Sequence, residues 1–226
     1  MYSREVLEPA LLLRRKGTLR LLSLRVLIPC LSMPSRHRAD DLAGLAAAVR
    51  ERALSTPFIV ALDGRSGVGK STLARALAAR LDAAVLDGDG FFAGGVTVRR
   101  DTPNERARDC IDWRKQRPVL QALRAGRAAI YLAFDWHAFD GRLEQEPTRV
   151  DPRPIVILEG VYSARPELAD SIDLRILLRV NEATRLQRLL QREGSIGPWE
   201  RQWHEAEAWY FDNAARDDWF HLIAEG

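Results

Sequence analysis

The sequence predicts an α/β fold, a parallel five-stranded sheet flanked by helices. Three observations predict it. Short apolar runs rich in β-branched residues recur at Phe58–Leu62, Ala83–Asp87, Pro154–Glu159 and Leu174–Val180. Segments with helical spacing lie between them. Polar or glycine-bearing clusters follow three of the runs directly: Gly64-Arg-Ser-Gly, Asp87-Gly-Asp89 and Glu159-Gly160. Parallel strands need a crossover to return the chain, so strands alternating with helices imply a parallel sheet. Strands buried on both faces read as continuous apolar runs.

Taken in order, the chain opens with a basic segment. Residues 1–38 carry eight basic and two acidic side chains, a net +6, which leaves the rest of a +3 chain at −3. The mildly acidic body removes the support that a high pI lends to a nucleic-acid partner. Within residues 1–32, Arg20 and Arg25 interrupt every apolar run. None approaches the roughly 20 residues that span a bilayer, so no stable membrane insertion is expected. A signal peptide needs an uncharged apolar region and fits poorly. The segment reads as a basic disordered extension, or as sequence upstream of the working protein with Met33 as an alternative start. A basic amphipathic surface helix is the other reading. Residues 33–226 read as one domain.

Asp40 to Ala53 reads as a helix with Asp40 or Asp41 as its N-cap. Phe58–Leu62 is the first strand, and Ser71–Leu81 a helix. Ala83–Asp87 is a second strand ending in acid. Residues 88–110, rich in Gly, Asp, Arg and Pro, read as a long functional or mobile loop. Asp112 to Ala125 looks helical, with Pro118 weakening its first turns. Ala128–Phe134 is extended, and Pro154–Glu159 and Leu174–Val180 are strands. Asn181 caps a helix through Arg192 that ends at Gly194. Trp199–Ala215 is another helix, and Trp219–Ala224 a last strand. Trp199, Trp203 and Tyr210 share one face of that helix and read as core rather than as a base-stacking site.

The composition, 46% hydrophobic and 29% charged, is that of an ordinary globular domain. Two cysteines, Cys30 and Cys110, make no disulfide framework, and four isolated histidines make no metal cluster. A reducing cytoplasm is the default compartment.

The segment after the first strand carries the chemistry. Gly64-x-x-x-x-Gly69-Lys70-Ser71 is the phosphate-binding P-loop pattern. Typical residue frequencies give it roughly a one-in-a-hundred chance of arising in a chain this long. The chain has only three lysines, Lys16, Lys70 and Lys115, and one sits where the pattern needs it. Glycines let the backbone wrap a phosphate with its N–H groups turned inward, and the following helix adds positive potential. Residues Gly64, Arg65, Ser66, Gly67, Val68, Gly69, Lys70, Ser71 and Thr72 are therefore the expected nucleotide cradle. Lys70 is expected on the β/γ-phosphates and the Ser71 hydroxyl on Mg²⁺. Asp89, between glycines after a strand, is a candidate catalytic carboxylate, and Asp87 could instead cap a turn. Glu159 follows five apolar residues, where an acid is costly unless it faces a cleft. It is a candidate metal or water ligand.

These segments, with Asp87-Gly-Asp-Gly-Phe-Phe92, Phe134-Asp-Trp136, Ile157-Leu-Glu-Gly-Val-Tyr162 and Arg185/Arg188/Arg192, resemble the uridine kinase-like P-loop kinases. That group also includes phosphoribulokinase and bacterial pantothenate kinase relatives. The resemblance covers residues 56–226 and implies the P-loop NTPase fold, ATP and Mg²⁺ as cofactors and a small-molecule hydroxyl as acceptor. It implies Asp89 as base and Glu159 as holder of the Mg²⁺ shell. Arg185 and Arg188 match arginines that close over the phosphates, in a lid near 185–200. Phe92, Asp112, Phe134, Asp135 and Trp136 fall at substrate positions, with a homo-oligomer compatible. The sequence departs from uridine kinases in three places. Phe92 stands where those enzymes usually have Tyr, Phe139 near their base-reading His, and Gly194–Gly197 lacks their basic run. ATP use is the expectation, uridine specificity is not. Two other classes stand beside it: a regulatory P-loop protein without transfer activity, and a membrane-surface ATPase using the basic N-terminus.

Overall fold

The structure, a computed structural model, describes residues 33–226, and the extension expected at 1–32 lies outside the described residues. The described chain enters with β1 (Ser35–Arg38), a short polar strand. Helix α1 (Leu42–Arg52) starts where the Asp41 carboxylate accepts the Gly44 N–H. Such a cap satisfies an amide that the first helical turn leaves without a partner. β2 (Phe58–Asp63) is buried at every position. Phe58, Val60 and Leu62 pack on one side of the sheet, Ile59 and Ala61 on the other. That alternation is the period-two geometry of a strand buried on both faces.

α2 (Lys70–Leu81) leaves the glycine loop, and β3 (Ala83–Asp87) returns to the sheet. The stretch expected as one long loop is more ordered. It holds a turn of 3₁₀ helix at Asp89–Phe91 and α3 (Pro103–Asp109). Thr102 and Glu105 cap α3 reciprocally, with Pro103 at its start. α4 (Trp113–Arg124) tolerates Pro118 in its interior. β4 (Ala129–Tyr131) and β5 (Thr148–Val150) pair antiparallel as a separate two-stranded sheet. Then come β6 (Ile155–Glu159), β7 (Leu174–Arg179), α5 (Glu182–Glu193), α6 (Pro198–Asn213) and β8 (Leu222–Glu225). The Asn181 side chain caps α5 at 2.8 Å from Thr184 N.

The main sheet has six strands in the order β1-β8-β7-β2-β6-β3, all paired in parallel. The expected α/β architecture stands, with β1 as a sixth strand at the edge. Its Ser-Arg-His-Arg sequence has no apolar run, and charged side chains on an edge strand discourage further strand addition. β2 lies between β7 and β6, and the register sets Leu62 beside Glu159 and Glu159 beside Asp87. Parallel strands deliver their following loops to one edge of the sheet. The three polar clusters therefore share one crevice.

Candidate active site

The loop between β2 and α2 turns on positive φ angles at Gly64, Gly67 and Gly69. Lys70 is buried, and its Nζ donates to the Arg65 carbonyl at 3.2 Å, so the ammonium lies across the mouth of the loop. Two helices grip the loop. Arg185 of α5 donates to the Ser66 carbonyl at 3.2 Å, and Arg188 to the Val68 carbonyl at 2.9 Å. From α6, the buried Glu207 carboxylate accepts the Ser66 N–H at 3.2 Å and also the Ser66 hydroxyl. Beneath the loop the fully buried Asp63 accepts the N–H groups of Gly64, Tyr162 and Ala164 and the Tyr210 hydroxyl. It ties the loop to the β6 crossover and to α6.

Glu159 ends β6 buried, with Oε2 lacking any hydrogen-bond partner. Burial pushes its carboxyl up to about 7, with the nearby Ser71 side chain and Lys70 opposing. An acid oxygen without a partner beside a hydroxyl is an oxygen donor set that suits a hard divalent cation. Among the described residues no three His, Cys, Asp or Glu gather as a metal cluster. Mg²⁺ at phosphate sites commonly uses one or two protein oxygens plus phosphate. The residues therefore fit Mg²⁺. Asp89 opens the 3₁₀ turn after β3, and its N–H donates to the Asp87 carboxylate at 2.9 Å. Burial raises Asp89 to about 6; Lys70 opposes, while Asp87 and Glu207 push the same way. Gly160 is needed beside it: at φ +144 a Cβ there would sit 3.0 Å from Asp89 Oδ1.

One cavity of about 910 Å³ joins these parts. Lys70, Ser71, Thr72 and Arg188 line it, and so do Asp89, Phe92 and Trp136. Its far wall is aromatic. Phe92 packs at 4.8 Å from Trp136 and 5.4 Å from Trp203, and Phe139 at 4.9 Å from Trp199 (ring centroids). Phe139 lines the cavity where the sequence comparison placed a histidine, and His137 stays outside it.

Several expected residues serve differently. Asp112 caps α4, accepting the Arg114 N–H at 3.1 Å, pairs with Lys115 and does not line the cavity. Asp135 folds the 135–142 turn, accepting from His137 N, Ala138 N and Arg142, and does not line the cavity. Phe134 is buried behind Phe92 and Trp136 and supports them. Arg185 pairs with Glu182 and braces the loop rather than facing the cavity. Arg65 lies near Glu182 and Glu207, and Val68 is buried. Trp203 and Tyr210 are core as expected, with Trp199 packed against that core, and Trp199 and Trp203 also line the cavity. The sequence reading missed Asp63, Glu207 and the contribution of α6. Only the acid ending the first strand and the aromatic face of the last long helix hinted at them.

Fold and site together define a P-loop kinase, a nucleotide-binding transferase. The family model described as AAA domain matches residues 60–209. A uridine kinase from Ligilactobacillus salivarius is 24% identical over 158 residues, 61% of this chain and 67% of the relative. A protein from Silicibacter sp. TM1040, named provisionally as a kinase of a fructose transport system, superposes with TM-score 0.58 at 27% identity. The match covers 74% of this chain and 94% of that one. A possible uridine kinase from Bacillus stearothermophilus shares the fold, with TM-score 0.62 at 16% identity over 82% of this chain and 97% of that one. The chain belongs to the AAA-domain family and is a uridine kinase-like P-loop kinase.

Proposed function

We propose that the protein is an ATP-dependent kinase that transfers the γ-phosphoryl group to a hydroxyl of a small molecule. The observation that carries this reading is the meeting of Lys70, Ser71 and Asp89 on one cavity, with the buried Glu159 at the end of the neighbouring strand. Phosphoryl transfer asks for positioning and charge stabilisation more than covalent chemistry. In this reading the loop amides and Lys70 hold the β- and γ-phosphates, and Arg188 adds a second cation. Mg²⁺, held through Ser71 and Glu159, would offset phosphate charge. Asp89 takes the acceptor's hydroxyl proton as the acceptor oxygen bonds to phosphorus and the bond to the ADP oxygen breaks. Asp87 is close enough to raise the Asp89 carboxyl and so strengthen it as a base.

Uridine and cytidine are not the best acceptors in this reading. Phe92 and Phe139 put apolar rings where a base-reading pocket needs polar groups, and a site without those groups discriminates weakly. The relatives' names, a uridine kinase and a fructose transport kinase, span both nucleoside and sugar acceptors. The test is a screen of ATP consumption against nucleosides, sugars and vitamin precursors, with mass detection of the product. Lys70→Ala should lose ATP binding or turnover, because the cation on the β/γ-phosphates is gone. Turnover equal to the unaltered protein in that variant would overturn the reading. A uridine kcat/KM far above every other acceptor would overturn the specificity.

A further inference from the structure

Two strands with an unpaired edge, β1 and β4, carry opposite chemistry. β1 reads Ser-Arg-His-Arg, and its charges discourage a further strand. β4 pairs with β5 on one edge, and no strand lies along the other. The run through it, Ala128-Ala-Ile-Tyr-Leu-Ala133, holds no charge, proline or glycine. The backbone N–H and carbonyl of Leu132, just past the end of β4, make no backbone hydrogen bond. An uncharged apolar edge is a template for pairing with another chain.

An apolar groove of about 430 Å³ lies beside this edge. Pro118, Val119 and Ala122 of α4 line it, together with Ile130, Leu132 and Leu143. Ile130 is 61% exposed, Leu132 46% and Leu143 42%. These are three of the eight large apolar side chains exposed among the described residues, gathered in one place. Residues two apart on a strand share a face, so Ile130 and Leu132 point the same way. Single exposed apolar side chains are ordinary, whereas a contiguous patch marks an interaction site.

The charges at the ends of the patch say what covers it. Arg127 is exposed and precedes the groove-lining Ala128. Glu144 follows Leu143, and its N–H donates to the Ala133 carbonyl at 2.7 Å. The cation therefore stands at one end of the apolar run and the carboxylate at the other. The ion pairs nearby, Arg124–Asp173, Arg142–Asp135 and Arg149–Asp151, leave both out. Antiparallel pairing of two copies about a twofold axis at Ile130 sets residue 127 opposite 133, and 128 opposite 132. Arg127 of each copy then meets Glu144 of the other.

We propose that β4 is a homodimer interface, in which two copies of the chain pair β4 to β4 in antiparallel fashion. Ile130 lies on the axis, Leu132 and Leu143 are covered, and Arg127 bridges to Glu144 of the second copy at each end. A twofold interface must be complementary to itself. A patch with an apolar centre and opposite charges at its two ends meets that condition. The pairing joins the two small sheets into one of four strands and removes the open apolar edge. It stands apart from the kinase reading, whose failure leaves it untouched.

Sedimentation velocity of the full chain across the micromolar range tests this. The unaltered chain should sediment as a dimer, at twice its 25.5 kDa. Ile130→Arg sets two cations together on the axis and should weaken dimerisation at least about 100-fold. Circular dichroism checks that this variant is folded. Arg127→Glu and Glu144→Arg should each weaken dimerisation at least about tenfold, because like charges then meet at both ends. The double exchange, Arg127→Glu with Glu144→Arg, restores opposite charges and should return to within about threefold of the parent. A general loss of stability does not produce that recovery, so the exchange series decides even where Ile130→Arg fails to fold. A monomeric parent overturns the proposal. So does a dimer indifferent to Ile130→Arg, which would use another face, or a double exchange that binds no tighter than its single variants.

Discussion

Asp89 shows how one residue gains a chemical role from its surroundings. A free carboxyl is a weak base at neutral pH because its proton affinity is low. Burial lifts Asp89 to about 6, nearer the range a general base needs, and Lys70 keeps it from rising further. Asp89→Asn keeps the shape and removes the ability to accept a proton. Nucleotide binding should survive in that variant, and transfer should fall by about 10²–10⁴-fold. Single-turnover kinetics would measure the chemical step directly, and a loss below about tenfold would transfer the role to Asp87. Lys70 and Asp89 were legible in the sequence because their context is local, a strand before and a glycine turn after. Glu207 and Asp63 were not. Glu207 reaches Ser66 across 141 positions, and Asp63 reaches Tyr210 across 147. A lone acid in a helix or at a strand end says nothing about a partner so distant in sequence.

At the scale of elements, the loop and α5 are packed as one unit. A Cβ on Gly67 would lie 2.9 Å from Leu189 Cγ and 3.0 Å from the Arg185 carbonyl, at a φ of +85 that side chains rarely adopt. The backbone at Arg185 cannot yield without moving α5, which also holds the Ser66 and Val68 carbonyls. Gly67→Ala should therefore destabilise the fold by about 1–3 kcal/mol, the range for a strained backbone position. The loop amides would also be misaimed, and ATP affinity should fall at least about tenfold, because a small misplacement of binding groups is expensive. Calorimetric titration of the folded variant with ATP tests it, and affinity equal to the parent would show that α5 is free to shift. The long helices and buried strands could be read from periodicity. The capping box of α3 was also written in the sequence, as Thr102-Pro-Asn-Glu105, but a glycine- and proline-rich surround masked it. β1 carried no readable signal, since a polar edge strand owes its form to β8 and not to its own composition.

Across the whole molecule, buried negative charge is concentrated at the edge of the sheet that carries the site. Asp63 accepts four hydrogen bonds, yet burial still raises it to about 6. Asp89 stands at about 6 and Glu159 at about 7. An unfolded carboxyl titrates near pH ~4. Between that value and 7 the folded chain binds more protons than the unfolded one, so this contribution to stability is complete at low pH and is lost as pH rises. His221 works in the opposite direction. Burial, and then Arg175, lower it to about 4, so its contribution is lost as pH falls below the unfolded histidine value of ~6.5. Above pH ~6.5 an unfolded His221 still gives up the rest of its proton, which offsets part of what the raised carboxyls lose. Nucleotide-free protein should then lose about 0.5 kcal/mol of stability between pH ~6.5 and ~8, with Glu159 the largest contributor to the loss. For a domain of this size that is a fall of about 1–2 °C in Tm. Glu159→Gln should flatten most of the slope, because an amide does not titrate. Thermal melts across that interval, in buffers matched for ionic strength and free of divalent cations, measure it. A Tm that held level or rose with pH would mean that the sheet edge admits enough water to keep these carboxyls at their ordinary values.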